Sequence, residues 1–179
     1  MAERQVHGFD YQNELTKLNE NLVLSSEYTG KWDGFEKIDG IKYQASIKCI
    51  KEKASVDFGD IKRISKVDED FILYVGFWLD EKTKKAVKHY KILINKENWK
   101  KYLGDVSILD ALFAEMKTIS NDHSDDKKWT EFRKRYNKLY GKSIIALRFK
   151  RDHKSQKRIQ CGISYANFIK IVLKENIIL

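Results

Sequence analysis

Nine consecutive residues, Phe71 to Leu79, carry no charge at all. A run this short and this apolar suits a strand whose two faces are both covered, so it places a central strand in a sheet with layers on each side. The neighbouring segments agree. Asp39-Gly40 is a two-residue hairpin signal. The strand expected after it, Ile41 to Ile50, alternates with period two: Gln44, Ser46 and Lys48 share one face and Tyr43, Ala45, Ile47 and Cys49 the other. Val87 to Ile94 supplies a further strand, and Leu22 to Thr29 a short extended run. Helical spacing is found over Phe9 to Leu22, a helix with Asp57 near its start is expected within Ser55 to Lys66, and amphipathic stretches lie around Glu97 to Leu103 and Ile108 to Ile119. These elements predict a mixed α/β chain of the α+β kind, with a central mixed sheet flanked by helices.

At 179 residues the chain fits one domain, or a compact core with a small appendage. Proline is absent, so turns rest on Gly, Asn and Asp. The polar stretch Ser120 to Asp126 divides an expected core, residues 1–119, from a second module, residues 127–179, packed on the same domain. That module combines a helix from Trp129 to Tyr140, strands at Ile144 to Arg151 and Lys157 to Ile163 around a turn at Asp152 to Ser155, and a last helix that Ser164 caps and that runs through Val172.

Charge separates the two parts. Between Lys127 and Lys174 there are 15 Lys and Arg against 2 Asp and Glu, while the rest of the chain sums to −4. Such a local positive field repels itself unless a polyanion neutralises it, which points to nucleic acid. A membrane surface is a poorer fit, because the basic residues alternate with strand-forming apolar ones and do not line one helix face. No stretch is apolar for the roughly 18 residues of a spanning helix, and the N-terminus lacks the apolar core of a signal peptide, so a cytoplasmic location with no membrane contact is expected. Cys49 and Cys161 have no partners at zinc-ligand spacing. His7, His89, His123 and His153 show no metal-binding pairing either.

The chemistry gathers between Trp32 and Lys51. The Asp39-Gly40 turn folds Asp33 back beside Lys48, placing an acid and a lysine on adjacent strands. Phosphodiester hydrolysis needs a divalent cation to polarise the phosphate, carboxylates to hold that hard cation, and often a lysine beside the attacking water. Each residue also has a plainer use: Asp33 beside Gly34 suits a turn, and Glu14 suits a solvated helix. Asp57 and Asp60 are explained by the start of a helix.

This order of elements resembles the PD-(D/E)xK nuclease superfamily, which includes many type II restriction endonucleases. The resemblance covers roughly the first 80 residues: a helix bearing Glu14, then Asp33, the tripeptide Ser46-Ile47-Lys48, a helix and the apolar strand. It implies that Asp33 is the first metal-binding aspartate, Lys48 the family's lysine, and Glu14 the first-helix acid that some members use. The metal would be Mg2+ or Mn2+. Ser46 stands where the family usually has Glu or Asp. The cation would therefore rely on Asp33, the Ile47 carbonyl, water and phosphate, with Gln44 assisting from the same face.

In the basic module, Arg148, Lys150, Lys157, Arg158 and Gln160, with Lys154 in the turn, fall on a two-stranded ribbon narrow enough for a major groove. There Arg suits guanine and Gln suits adenine. The preceding helix, with Arg133, Lys134 and Arg135, suits backbone phosphates. The expected protein is a sequence-specific double-strand DNA endonuclease of the type II restriction kind, Mg2+-dependent, homodimeric and free of nucleotide cofactors. The alternatives are a structure-specific resolvase or repair nuclease, and an inactive DNA-binding regulator.

Overall fold

The computed structural model describes residues 3–26, 31–121, 123–151 and 157–174. In chain order the elements are α1 (Glu3–Leu18), β1 (Leu22–Leu24), β2 (Gly34–Ile38), β3 (Ile41–Lys51), β4 (Val56–Asp60), α2 (Ile61–Ile64), β5 (Phe71–Trp78) and β6 (Ala86–Ile94). There follow α3 (Lys96–Leu103), α4 (Leu109–Thr118), α5 (Asp126–Tyr140), β7 (Ile145–Arg151), β8 (Lys157–Ile163) and α6 (Tyr165–Lys174). The fold is mixed α+β. Contacts divide the described residues into two compact units, one drawn from 1–56, 68–96 and 165–179, the other from 57–67 and 97–164.

The first unit is built on a five-stranded sheet in the order β1-β2-β3-β5-β6. Only β3 and β5 pair in parallel; the other pairs are antiparallel. The apolar run becomes β5, every residue buried except the half-buried Trp78. Both its faces are covered, as its composition requires. On one face Tyr11 and Leu15 of α1 pack with Ala45, Ile47, Ile72 and Tyr74. On the other, Phe77 meets Phe168 and Tyr165 of α6 edge-on at 5.6 and 5.3 Å between ring centroids, a geometry that aromatic quadrupoles favour.

Two glycines are set by close approach. A Cβ on Gly76 would lie 2.6 Å from Cζ of Tyr11, so α1 sits against β5 only because that side chain is missing. A Cβ on Gly34 would lie 2.4 Å from the Val23 carbonyl oxygen, where β1 crosses the start of β2. The hairpin between β2 and β3 turns through Asp39 and Gly40, both at positive φ (51° and 80°), as a turn matching the strand twist demands.

The second unit holds a three-stranded antiparallel sheet in the order β4-β8-β7. Phe132 of α5 packs on Phe149 of β7 at 5.3 Å, and Trp99 of α3 packs edge-on against Phe58 of β4 at 5.2 Å. Three expectations change here. The helix expected within Ser55 to Lys66, with Asp57 near its start, is confined to Ile61–Ile64, and Val56 to Asp60 form β4. Val56 and Phe58 are buried between half-buried neighbours, which is period two, and Asp60 then caps a helix of only four residues by accepting from the Lys62 N–H at 2.8 Å. The basic strands do not form a two-stranded ribbon, because β4 adds to the β8 side. The polar stretch from Ser120 lies inside the second unit, joining α4 to α5, and the described part of the last helix belongs to the first unit through its Phe168 contacts. The turn at 152–156, with Lys154, and the residues 27–30 lie outside the described residues.

Candidate functional site

Asp33 stands just before β2, held by its backbone: its N–H donates to the Ala45 carbonyl at 3.0 Å and its carbonyl accepts from the Ser25 N–H at 2.9 Å. Because β2 begins only at Gly34, the next outward N–H of β3, that of Ile47, meets no strand. The Asp33 carboxylate fills that gap. Its Oδ2 accepts from the Ile47 N–H at 2.7 Å, the Lys48 ammonium at 3.1 Å and the Ser46 hydroxyl at 3.3 Å. Residues Asp33, Ser46, Ile47 and Lys48 are thus brought together, and the N–H and C=O of Ile47 both face the edge that β2 leaves open.

Ser46 is buried, and the Asp33 and Lys48 side chains are 31% and 23% exposed, so the pair sits at the protein surface with solvent on one side. Three donors on one carboxylate oxygen make a charge-assisted cluster stronger than neutral hydrogen bonds. Lysine has three N–H donors, and one is spent on Asp33, which leaves two for a water or a phosphate oxygen.

Gln44 is half-buried on the same face as Ser46 and Lys48. It lines a cleft with Phe35, Lys42 and the two chain neighbours of Asp33, Trp32 and Gly34. Glu14 is elsewhere. It projects from α1, which covers the opposite face of the sheet, and its charge is felt at Tyr11 and Cys49. It does not join Asp33, for a physical reason: α1 docks through Tyr11 and Leu15 on the Ile47 face, and Lys48 points the other way. Among the described residues no group of three His, Cys, Asp or Glu forms a metal cluster.

Mg2+ keeps several waters and needs only one or two carboxylates, completing its shell with substrate phosphate. Asp33 supplies one carboxylate whose Oδ1 carries no donor among the described residues, with the Ile47 carbonyl beside it, so the residues fit a cation that is bound mainly together with substrate. Asp33 and the Ile47 carbonyl would hold it.

A second polar cluster was not foreseen. Glu36, 2% exposed, lies on the α1 face. Its Oε1 accepts from Asn19 Nδ2 at 2.8 Å and Lys91 Nζ at 2.6 Å, and its Oε2 from the Tyr74 hydroxyl at 2.5 Å. Burial alone would raise its pKa, but these donors hold the carboxyl below the usual range. The only signal in the sequence is an acid at an inward position of a strand. Burial pushes the Cys49 thiol up to about 11 and Cys161 up to about 12, so neither is a ready nucleophile or thiolate ligand.

In the second unit, β7 and β8 pair Arg148 with Gln160 and Lys150 with Arg158, so the four side chains share one face. Leu147, Phe149, Ile159 and Cys161 are buried on the other. Arg148 also meets the Asp57 carboxylate of β4 at 3.1 Å. Other basic residues are spent on the fold. Lys157 donates to the carbonyls of Lys117 and Ile119 at the end of α4, and Arg135 pairs with Glu115. Arg133, Lys134 and Lys150 are exposed and have no ion-pair partner among the described residues. Comparison with family models, with curated proteins and with solved structures finds no match to this chain.

Proposed function

We propose that this protein is a metal-dependent DNA endonuclease that cuts double-stranded DNA at a defined sequence as a homodimer. The observation that carries the proposal is the Asp33 carboxylate with the Lys48 ammonium 3.1 Å away on the adjacent strand, at the surface of a sheet. Mg2+ or Mn2+, when bound, polarises the phosphate and lowers the pKa of a water. The chain's own part is positional. Asp33, fixed by the Ile47 N–H, offers its second oxygen to the cation. Lys48 directs its two remaining N–H groups at the attacking water or a non-bridging phosphate oxygen.

Ser46 adds a neutral hydroxyl and no charge. The cluster sums to zero, Asp33 against Lys48, so nothing in it repels a phosphate strongly. The Arg148, Lys150, Arg158 and Gln160 face supports the DNA part of the proposal, since it joins cations with a side chain able to read adenine. A two-fold pair of such chains would place one centre on each strand of a symmetric site.

A second reading, a DNA-binding protein that does not cut, is favoured by one observation: among the described residues a single carboxylate serves the centre. Incubation with plasmid and Mg2+ separates the readings. Discrete fragments support the endonuclease, cutting confined to branched DNA supports a resolvase, and binding without cutting supports the regulator.

A further inference from the structure

A cleft of about 390 Å3 opens on the Lys48 face of the five-stranded sheet, lined by Trp32 and Gly34, the chain neighbours of Asp33, and by Phe35, Lys42 and Gln44. Phe35 pairs in register with Gln44, so both side chains stand on the face that carries Ser46 and Lys48. Lys42, two residues before Gln44, shares this face and holds its ammonium 4.1 Å from the centre of the Phe35 ring. Trp32 forms another wall, packed on Phe71 at 5.0 Å.

The two lysines of the cleft differ. Glu69 accepts from Lys31 Nζ at 3.2 Å and from the Trp32 indole N–H at 3.1 Å, so Lys31 is neutralised and Trp32 is fixed in place. Lys42 is exposed and has no ion-pair partner among the described residues. The packing of Trp32 explains that residue structurally. It does not explain a half-buried phenyl ring set under an ammonium that has no ion-pair partner among the described residues, flanked on β1 by Val23, which is 47% exposed. An aromatic face with a cation beside it is what unpaired nucleotides bind, the base stacking and the phosphate pairing with the charge.

We propose that this cleft takes one unpaired nucleotide next to the scissile phosphate, with its base against Phe35 and its phosphate on Lys42. The assignment rests on the reading of Asp33 and Lys48 as a phosphodiester-cleaving centre and adds a substrate preference to it. DNA with an unpaired nucleotide beside the cut binds better than a continuous duplex, because a paired base cannot reach the ring.

The test is equilibrium binding by the full chain in EDTA, so that cleavage plays no part. The probes are a labelled continuous duplex and the same duplex with a short single-stranded gap. The gapped duplex is expected to bind about ten-fold tighter, the scale of one base stacked on an aromatic side chain. Phe35→Leu should abolish most of that preference. Lys42→Gln, a surface change that leaves the fold intact, should lower the dependence of log K on log salt by about one phosphate contact. Equal affinity of the wild type for the two probes overturns the proposal, as does an unchanged preference and salt slope in both variants. A preference that behaves as expected in a protein that never cuts DNA leaves the subsite standing and removes only the nuclease reading. Cutting by a protein whose variants bind like the wild type removes only the subsite.

Discussion

The Lys48 ammonium lies 3.1 Å from Oδ2 of Asp33, although 15 residues separate the two in the chain. The hairpin at Asp39 and Gly40 makes this contact, and the early end of the β2 ladder makes it useful, since an aspartate rather than a strand faces the Ile47 N–H. The same carboxylate is therefore a structural cap and a candidate metal ligand.

With a single carboxylate among the described residues, the centre should bind Mg2+ weakly by itself. Calorimetric titration of the free protein is expected to show affinity no tighter than on the order of millimolar, tightening when uncleavable phosphorothioate DNA is present. Submicromolar binding to the free protein would reveal ligands beyond Asp33 and contradict the assigned donor set.

The basic residues should divide into two groups. Substituting Lys150, Arg133 or Lys134 by Gln is expected to weaken DNA binding on all sequences and reduce the salt slope by about one per residue, with unchanged melting. Lys157→Gln should behave oppositely, because its ammonium serves the carbonyls at the end of α4. A destabilisation of about 1 kcal/mol with little change in salt slope is expected. Matching salt slopes for Lys157 and Lys150 variants would show that Lys157 leaves α4 to meet phosphate.

Glu36 makes stability depend on pH. Its folded pKa lies below the ordinary value of 4.5, so the stability it contributes is fully present above that value and is lost as pH falls through the depressed folded pKa. Urea midpoints of the wild type should therefore fall on acidification below about pH 4.5, and Glu36→Gln should flatten that part of the curve. Parallel curves for the two proteins would place the acid sensitivity elsewhere.

Gly76→Ala should destabilise the first unit by about 1–3 kcal/mol, the usual cost of overpacking. Its new Cβ would come within 2.6 Å of the Tyr11 ring and 2.9 Å of the Ala86 Cβ. Pairing the change with Tyr11→Leu should recover part of the loss. A Gly76→Ala protein with the wild-type urea midpoint would mean that α1 is free to move off β5.

The features legible in the sequence were those with a local cause. The positive-φ pair Asp39 and Gly40, the alternation of β3 and the uninterrupted apolar run of β5 each declare themselves within about ten residues, and together they bring Asp33 beside Lys48. What stayed hidden depends on distant partners. Glu36 is buried because Asn19, Tyr74 and Lys91 donate to it from 17, 38 and 55 residues away. β4 reads as the start of a helix because Asp57 resembles a helix-start acid, although only Asp60 caps one; its strand character comes from pairing with β8, some hundred residues on. Glu14 belongs to the first helix, expected over Phe9 to Leu22 and found over Glu3–Leu18 with Leu22 in β1, but the face on which α1 docks is set by Gly76, whose missing side chain admits Tyr11.

The most direct test of the account is single-turnover cleavage of plasmid DNA by the wild type, Lys48→Met and Asp33→Asn in Mg2+, with DNA affinity measured on the same preparations. The wild type is expected to cut at discrete sites. Lys48→Met should be slower by about 10²–10⁴-fold, the range for a positioned proton-transfer group, and Asp33→Asn should be inactive, with both variants still binding DNA. Cleavage by Lys48→Met and Asp33→Asn at the wild-type rate, or a wild type that binds DNA and never cuts it, would contradict the assignment of this pair as a catalytic centre.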